Sequence, residues 1–382
     1  MDFAFDDDQE LLRRTTRAFL EQHQSLAGRR AVLEADELLD RGDWRRGAEL
    51  GWTAMLVPPE HDGGSVTEQP VVDLAVLGEE LGRVLHPGPF VPTNVVADAV
   101  ARSGSNEQRA ALLPGIANGS MVAAWCTTAD SSADESSVDV RARPRGDGYR
   151  LDGVAGHVHG ATVADILLVT ARTGDQIVLA LVRVPAAGIA VQRHGGLDLT
   201  RRFARVRFED ALVPGAAVLA PGRTADALER ALALATVLQS AEAVGAADHI
   251  VTTTVQYAKD RFQFGRPIGS FQAVKHRLVD LLITLEGMRA AARYAALALA
   301  DGFADADEAV AVAGSYVSDA LVFVCGEALQ LHGGIGFTWE HDVHLFVRRA
   351  IVDRALYGDP SWHRERLCRI LDAATPSEPA SA

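Results

Sequence analysis

Arg261 closes a helical pattern, and Gln272 opens the next, across the run Tyr257-Ala-Lys-Asp-Arg-Phe-Gln-Phe-Gly-Arg-Pro-Ile-Gly-Ser-Phe-Gln-Ala-Val-Lys-His276. Gly265, Pro267 and Gly269 force a turn between them, so a cation and an amide are presented together at the tip of a helical hairpin. Read alone, an Arg at a helix C-terminus is a capping or surface residue. A second polar turn follows in Glu327-Ala-Leu-Gln-Leu-His-Gly-Gly-Ile-Gly-Phe-Thr-Trp-Glu340. Its three glycines separate two helical patterns and let the backbone approach a bulky ligand closely. It follows a helix, not a strand, and its spacing differs from the dinucleotide fingerprint. His341 and His344 stand three apart with no third ligand, which argues for solvated histidines and no metal.

The elements that must carry these turns follow from periodicity. Residues 1–120 read as helices, with Leu11, Leu12, Phe19 and Leu20 in the first and Val71, Leu74, Leu77 and Leu81 in a later one. From about 121 to 222 the period changes to two, as in Ala204, Val206 and Phe208 alternating with Arg205 and Arg207. Gly148, Gly153, Gly174 and Gly188 are expected to separate the strands of an antiparallel meander or barrel. Long helices return over roughly 224–260, 271–301 and 307–331, with a fourth from near Glu340. Ser270 is the expected N-cap of the second. The predicted fold is therefore α+β: an N-terminal helical domain (1–120), a central antiparallel β-barrel domain (121–222) and a C-terminal four-helix bundle (223–382), with 373–382 expected as a disordered tail.

The chain has 382 residues, 48% hydrophobic and 23% charged, enough for two or three domains around a sizeable core. A formal net charge of -14 argues against nucleic acid or an anionic membrane surface as partner. Three scattered cysteines and an acidic start point to a reducing, cytoplasmic setting, and the apolar runs look too short for a membrane span.

The first run resembles the Arg-x-Gln-Phe-Gly-x-Pro-Ile-x-x-Phe-Gln signature of the acyl-CoA dehydrogenase flavoproteins. The second resembles the Gln-x-x-Gly-Gly-x-Gly segment with which that family holds FAD across a subunit interface. The α, β, α-bundle order matches the family over nearly the whole chain. The resemblance implies FAD, an acyl-CoA or carrier-bound acyl thioester as substrate, an electron-transfer acceptor, and removal of two hydrogens from Cα and Cβ with a glutamate as base. It places Arg261, Phe264, Gln272, Gln330, Gly333 and Gly334 at positions that contact FAD bound mainly by a neighbouring subunit.

The other half of the flavin site departs from the family. Its Thr-Glu-Pro-x-x-Gly-Ser-Asp segment is here Thr128-Ala-Asp-Ser-Ser-Ala-Asp134, and its aromatic-Ile-Thr segment is His157-Val-His159. Trp125 and Thr128 still fit flavin-facing positions, while His157 and His159 form either an altered flavin wall or solvated strand residues. The usual glutamate position falls at Tyr357 or in a deletion, and the family's alternative position at Ala235 is empty. Two carboxylates are candidate replacements. Asp359 lies two residues beyond Tyr357 in an Asp-Pro turn, and Glu242 lies two helical turns beyond Ala235, ~10 Å away, where a surface acid is the plain reading.

Two functions remain open at this point. One is FAD-dependent desaturation of an acyl thioester with a displaced base. The other is a non-catalytic subunit that completes the FAD site of a glutamate-bearing partner. Either implies a homo- or hetero-oligomer, with a tetramer expected.

Overall fold

The computed structural model describes residues 5–24, 28, 30, 33, 35, 37–127, 138–219 and 224–374. Five helices lead: α1 (Asp7–His23), α2 (Arg41–Glu49), α3 (Pro70–Arg83), α4 (Phe90–Ser103) and α5 (Asn106–Ala117). Asp6 opens α1 through a capping box with Gln9, and Ser105 does the same for α5 with Gln108. Helix α3 is buried along almost its whole length because α6 crosses it.

The central domain holds β1 (Ala123–Cys126), β2 (Arg141–Arg145), β3 (Gly148–His159), β4 (Ile166–Thr173), β5 (Gln176–Arg183), β6 (Ile189–His194) and β7 (Phe203–Val213). Their order is β1-β4-β2-β3-β7-β6, with β5 on β4. The α, β, α order follows the expectation, but the sheet is mixed. β1 runs parallel to β4, pairing Ala123 with Ile166 through Cys126 with Val169, and β2 meets β4 in parallel at Arg141. Gly153 does not separate strands. It lies inside β3, at φ 127°, where the register against β7 shifts, and a Cβ there would sit 2.3 Å from the Asp139 carbonyl oxygen.

The last third contains α6 (Thr224–Asp260), α7 (Gln272–Asp301), α8 (Ala306–His332), α9 (Val343–Asp353) and α10 (Pro360–Ala374). The sequence pattern placed these helices well, with three differences. Ser270 is not the cap of α7: its hydroxyl donates to the Pro267 carbonyl, and Phe271 takes the cap position. The fourth helix starts at Val343 and is interrupted after Asp353, with α10 following at Pro360. Residues 373 and 374, expected in the tail, belong to α10, which runs to Ala374; the rest of the expected tail, 375–382, lies outside the described residues. Helix α8 has the length and apolar composition of a membrane span, contrary to the sequence expectation. Its stripe Val310, Ala313, Val317, Leu321, Val324 and Ala328 is instead buried within the bundle, where α8 packs on α6, α7 and α10.

Two close approaches set this packing. A Cβ on Gly245 would stand 1.7 Å from the Glu79 carbonyl oxygen, and one on Gly82 would stand 1.9 Å from that of Glu242, so α3 and α6 touch backbone to backbone. On the other side, His363 of α10 is buried over Gly314 of α8, where a Cβ would lie 2.5 Å from the imidazole. Burial, with Arg366 adding to it, pushes the His363 imidazole down to about 4. Burial pushes His249 down to about 4 as well.

Two outcomes follow from these contacts. Gly245→Ala should cost roughly 1–3 kcal/mol in urea unfolding, since overpacking at the crossing outweighs the better helix propensity. Gly326→Ala, on an open stretch of α8 with nothing near its Cβ, should lose nothing. His363 is neutral when folded and takes up a proton more readily when unfolded, so its contribution is complete above the unfolded value and is lost as pH falls. Stability should therefore drop from about pH 6.5 toward about pH 4, by a His363 share on the order of 3 kcal/mol. His363→Gln should flatten that slope, with the His249 part remaining.

Candidate functional site

A cavity of about 420 Å³ opens between the β domain and the stretch that joins α9 to α10. Trp125 and Thr127 enter from the end of β1, His157 and His159 from β3, His194 from β6, and Gly195 to Asp198 from the loop beyond it. Ile351, Val352 and Ala355 to Tyr357 form the opposite wall. The structure brings Trp125, His157, His159 and Tyr357, all placed in the sequence by the family resemblance, to one cavity. Thr128 and the segment to Asp134 lie outside the described residues.

The histidines differ in setting. His159 is buried, with Nε2 3.3 Å from the Pro87 carbonyl oxygen and its ring 5.4 Å from that of Phe203. Desolvation, reinforced by Arg201 and Arg349, holds it well below the usual imidazole range and therefore neutral. His157 is exposed and meets His194 edge-on at 5.1 Å. Trp125 donates its indole N–H to Thr170 Oγ1 at 3.0 Å, and its ring stacks on Tyr357 at 6.0 Å with 10° between the planes. Tyr357 is held at φ 56°, a left-handed conformation that is costly for a bulky residue. Burial pushes its phenol up.

Behind that wall is a cluster of buried charges. Arg201 Nη2 donates to Glu242 Oε2 at 2.7 Å, and its Nη1 pairs with Asp353. Arg349 donates through Nε to Asp198 at 2.6 Å and through Nη2 to Thr200 Oγ1 at 2.6 Å. Two guanidinium groups face three carboxylates, all almost wholly shielded from solvent. Burial pushes Glu242 and Asp353 up against the pull of Arg201, whereas Asp198 is held down despite its burial by Arg349 and Arg201.

This arrangement corrects the plain reading of Glu242 as a surface acid. Its side chain faces the protein interior and is committed to Arg201, and it does not line the cavity. Asp359 is equally committed. Its Oδ1 accepts from the Trp362 N–H at 2.8 Å and so caps the first turn of α10. Asp198 is the one carboxylate among the described lining residues, and Arg349 and Thr200 hold it. Sequence reading missed Arg201, Asp198, Arg349 and Asp353; the available signal was a lone Glu inside the otherwise small and apolar middle of α6.

The other predicted residues lie together on a separate, outward-facing part of the bundle. Arg261 directly follows α6 and is exposed, and Phe264, at the tip of the β8 (Phe262–Gln263) and β9 (Arg266–Pro267) hairpin, is 92% exposed. Gln272 begins α7, also exposed. Gln330 is exposed near the end of α8, and Gly333 breaks the helix at φ 63°. Added Cβ atoms at Gly333 and Gly334 would meet nothing within the chain, so no internal contact accounts for the bare backbone there. Tyr257, one turn before Arg261, stacks on His332 at 4.4 Å and donates to its carbonyl oxygen at 3.2 Å. The two turns are thereby fastened side by side. His341 and His344 pack against the rings of His332 and Trp339 respectively.

Known proteins share this architecture. The model for the acyl-CoA dehydrogenase N-terminal domain matches residues 6–120, and that for the C-terminal domain matches 225–371. Acyl-CoA dehydrogenase IpdE2 of Mycolicibacterium smegmatis is 34% identical over 366 residues, covering 95% of this chain and 98% of the relative. Among solved structures, a single-residue variant of the Tcur3481-Tcur3483 steroid ACAD superposes with a TM-score of 0.87 at 30% identity, covering 97% of this chain and 99% of that one. A chain of the ChsE4-ChsE5 complex from Mycobacterium tuberculosis gives 0.88 at 27% identity, covering 99% and 100%. With both domain models and a full-length relative in agreement, the chain belongs to the acyl-CoA dehydrogenase family of flavoprotein oxidoreductases, whose cofactor is FAD.

Proposed function

We propose that this chain is the non-catalytic subunit of a heteromeric acyl-CoA dehydrogenase, completing the FAD site of a glutamate-bearing partner. The observation that carries this reading is the division of its charged and polar groups. The carboxylates around its own cavity are each tied to an arginine or a helix cap. Arg261, Gln272, Gln330 and Gly334 instead point outward.

The outward site fits a dinucleotide. Arg261 supplies a cation for a phosphate, Gln272 and Gln330 supply amides, and the Gly333–Gly334 backbone offers N–H groups unobstructed by side chains. Phe264 adds a flat apolar face at the hairpin tip. FAD, when bound, would supply the hydride-accepting ring; this chain would anchor and orient it. Exposed Val279, Leu282 and Ile283 on α7, with Val312, Tyr316 and Phe323 on α8, give the bundle an apolar face suited to a partner subunit. Two of the related structures are themselves described as pairs of different chains, Tcur3481-Tcur3483 and ChsE4-ChsE5.

A second reading is favoured by the cavity itself. There the chain would desaturate an acyl-CoA or carrier-bound thioester, passing electrons to a separate acceptor. Glu242 would first have to leave Arg201, or Asp359 its cap.

The two readings separate on purification. Expressed alone, the chain should be almost colourless; co-expressed with an adjacent glutamate-bearing dehydrogenase subunit, it should give a mixed, yellow oligomer. Arg261→Ala should weaken flavin retention in that oligomer by roughly 10–100-fold, the loss of one charge-assisted contact. A full flavin complement on the chain alone, reduced by an acyl-CoA, would establish the second reading instead.

A further inference from the structure

Trp125 lines the cavity from the β-domain side and Tyr357 from the opposite wall; Trp125 belongs to, and Tyr357 packs against, an apolar core cluster that also includes Val96 of α4 with Ala235 and Leu238 of α6. Among the described lining residues none comes from α4 or α6, so the cavity ends at the aromatic pair. The two rings are nearly parallel with centroids 6.0 Å apart, so their planes are no farther apart than that. Carbon atoms touch at about 3.5–4.0 Å, and a chain passing between two ring faces needs about 7 Å. The gap is too small for an acyl chain to pass.

The pair is also held in place. Tyr357 is fixed at φ 56° beside Gly358 at φ 99°, where a Cβ would lie 2.5 Å from the Trp362 ring. Asp359 caps α10 immediately afterwards, and His363 locks that helix over Gly314. Trp125 is tied to Thr170 on the far side. These contacts fix the backbone that carries the Tyr357 ring, and the Thr170 hydrogen bond holds the Trp125 indole against which that ring stacks.

We propose that Tyr357 is a specificity-determining plug: stacked on Trp125, it ends the cavity short of the α4–α6 core and excludes extended acyl chains from this subunit. Ligands with short or no acyl extension fit the space that remains. This inference rests on family membership and the geometry of this chain's own cavity, and it does not depend on the two-subunit assembly proposed above.

The test compares the full-length protein with Tyr357→Phe, which keeps the ring, and Tyr357→Ala, which removes it. Two probes are titrated calorimetrically: octanoyl-CoA, with butyryl-CoA as its short control, and anilinonaphthalene sulfonate, a flat apolar probe that needs no CoA groove. The wild type and Tyr357→Phe should not discriminate in favour of octanoyl-CoA. Tyr357→Ala should bind octanoyl-CoA, anilinonaphthalene sulfonate or both at least about tenfold more tightly than Tyr357→Phe does. A wild type that already prefers octanoyl-CoA over butyryl-CoA would overturn the proposal. So would a Tyr357→Ala protein no better than Tyr357→Phe with both probes. Where Tyr357→Ala does not fold, Tyr357→Leu carries the same criteria.

Discussion

Arg201 is the interaction on which the cavity depends. It leaves the β domain just before β7 and reaches Glu242 on α6 and Asp353 at the end of α9, so one buried guanidinium joins three parts of the fold. Shielding such charges costs several kcal/mol each, and only close, well-directed partners offset that. A buried ion pair is weak support for stability, but it admits few alternative arrangements. Moving the loop at 195–202 away from the bundle would part Arg201 from Glu242 and Asp353, and Arg349 from Asp198 and Thr200. The wall of the cavity is thus set by charge pairing as much as by apolar packing.

The same pairing governs what chemistry the cavity can do. A general base must be free to reach a proton and must carry a suitable proton affinity. Burial has raised Glu242, as it would for a base, yet the carboxylate is spent on Arg201. A raised affinity here reports desolvation within an ion cluster. By itself it does not mark a catalyst, and in this arrangement the carboxylate does not line the cavity. Asp359 is engaged in a different way: it caps α10, and releasing it would uncap the helix that follows the left-handed turn at Tyr357.

Much of this fold was legible in the sequence because its long helices advertise themselves. The stripes of α7 and α8 put Leu281, Leu285, Met288, Val317, Leu321 and Val324 in the core, as their spacing requires. The two outward turns were legible for a related reason, since Arg, Gly and Pro in fixed order constrain local backbone strongly. Helix α6 was harder to read. α3 crosses it at Gly245 while α8 covers another side, so it is buried nearly all round and Glu242 has no solvent face to occupy. Its partner Arg201 is 41 residues earlier in another domain, a pairing that no local period encodes. The parallel contact of β1 with β4 was hidden likewise, because alternation shows which face is buried and not which strand lies alongside.

Inward and outward charges therefore have opposite standing in this molecule. In the interior, Arg201 and Arg349 are held by carboxylates and Arg202 by backbone carbonyls, leaving little capacity for a ligand that carries its own charge. At the surface, the tip of the α6–α7 hairpin and the end of α8 keep Gln272, Gln330 and the Gly333–Gly334 backbone uncovered, although Tyr257 and His332 hold the two turns firmly in register. Fastening two exposed turns together by a half-buried stack costs conformational freedom without satisfying the groups they display. Such rigidity is consistent with binding something outside the chain, because a preformed site avoids the ordering cost at the moment of association. In a family whose cofactor is FAD, that ligand is, on the reading proposed above, the FAD of a neighbouring chain.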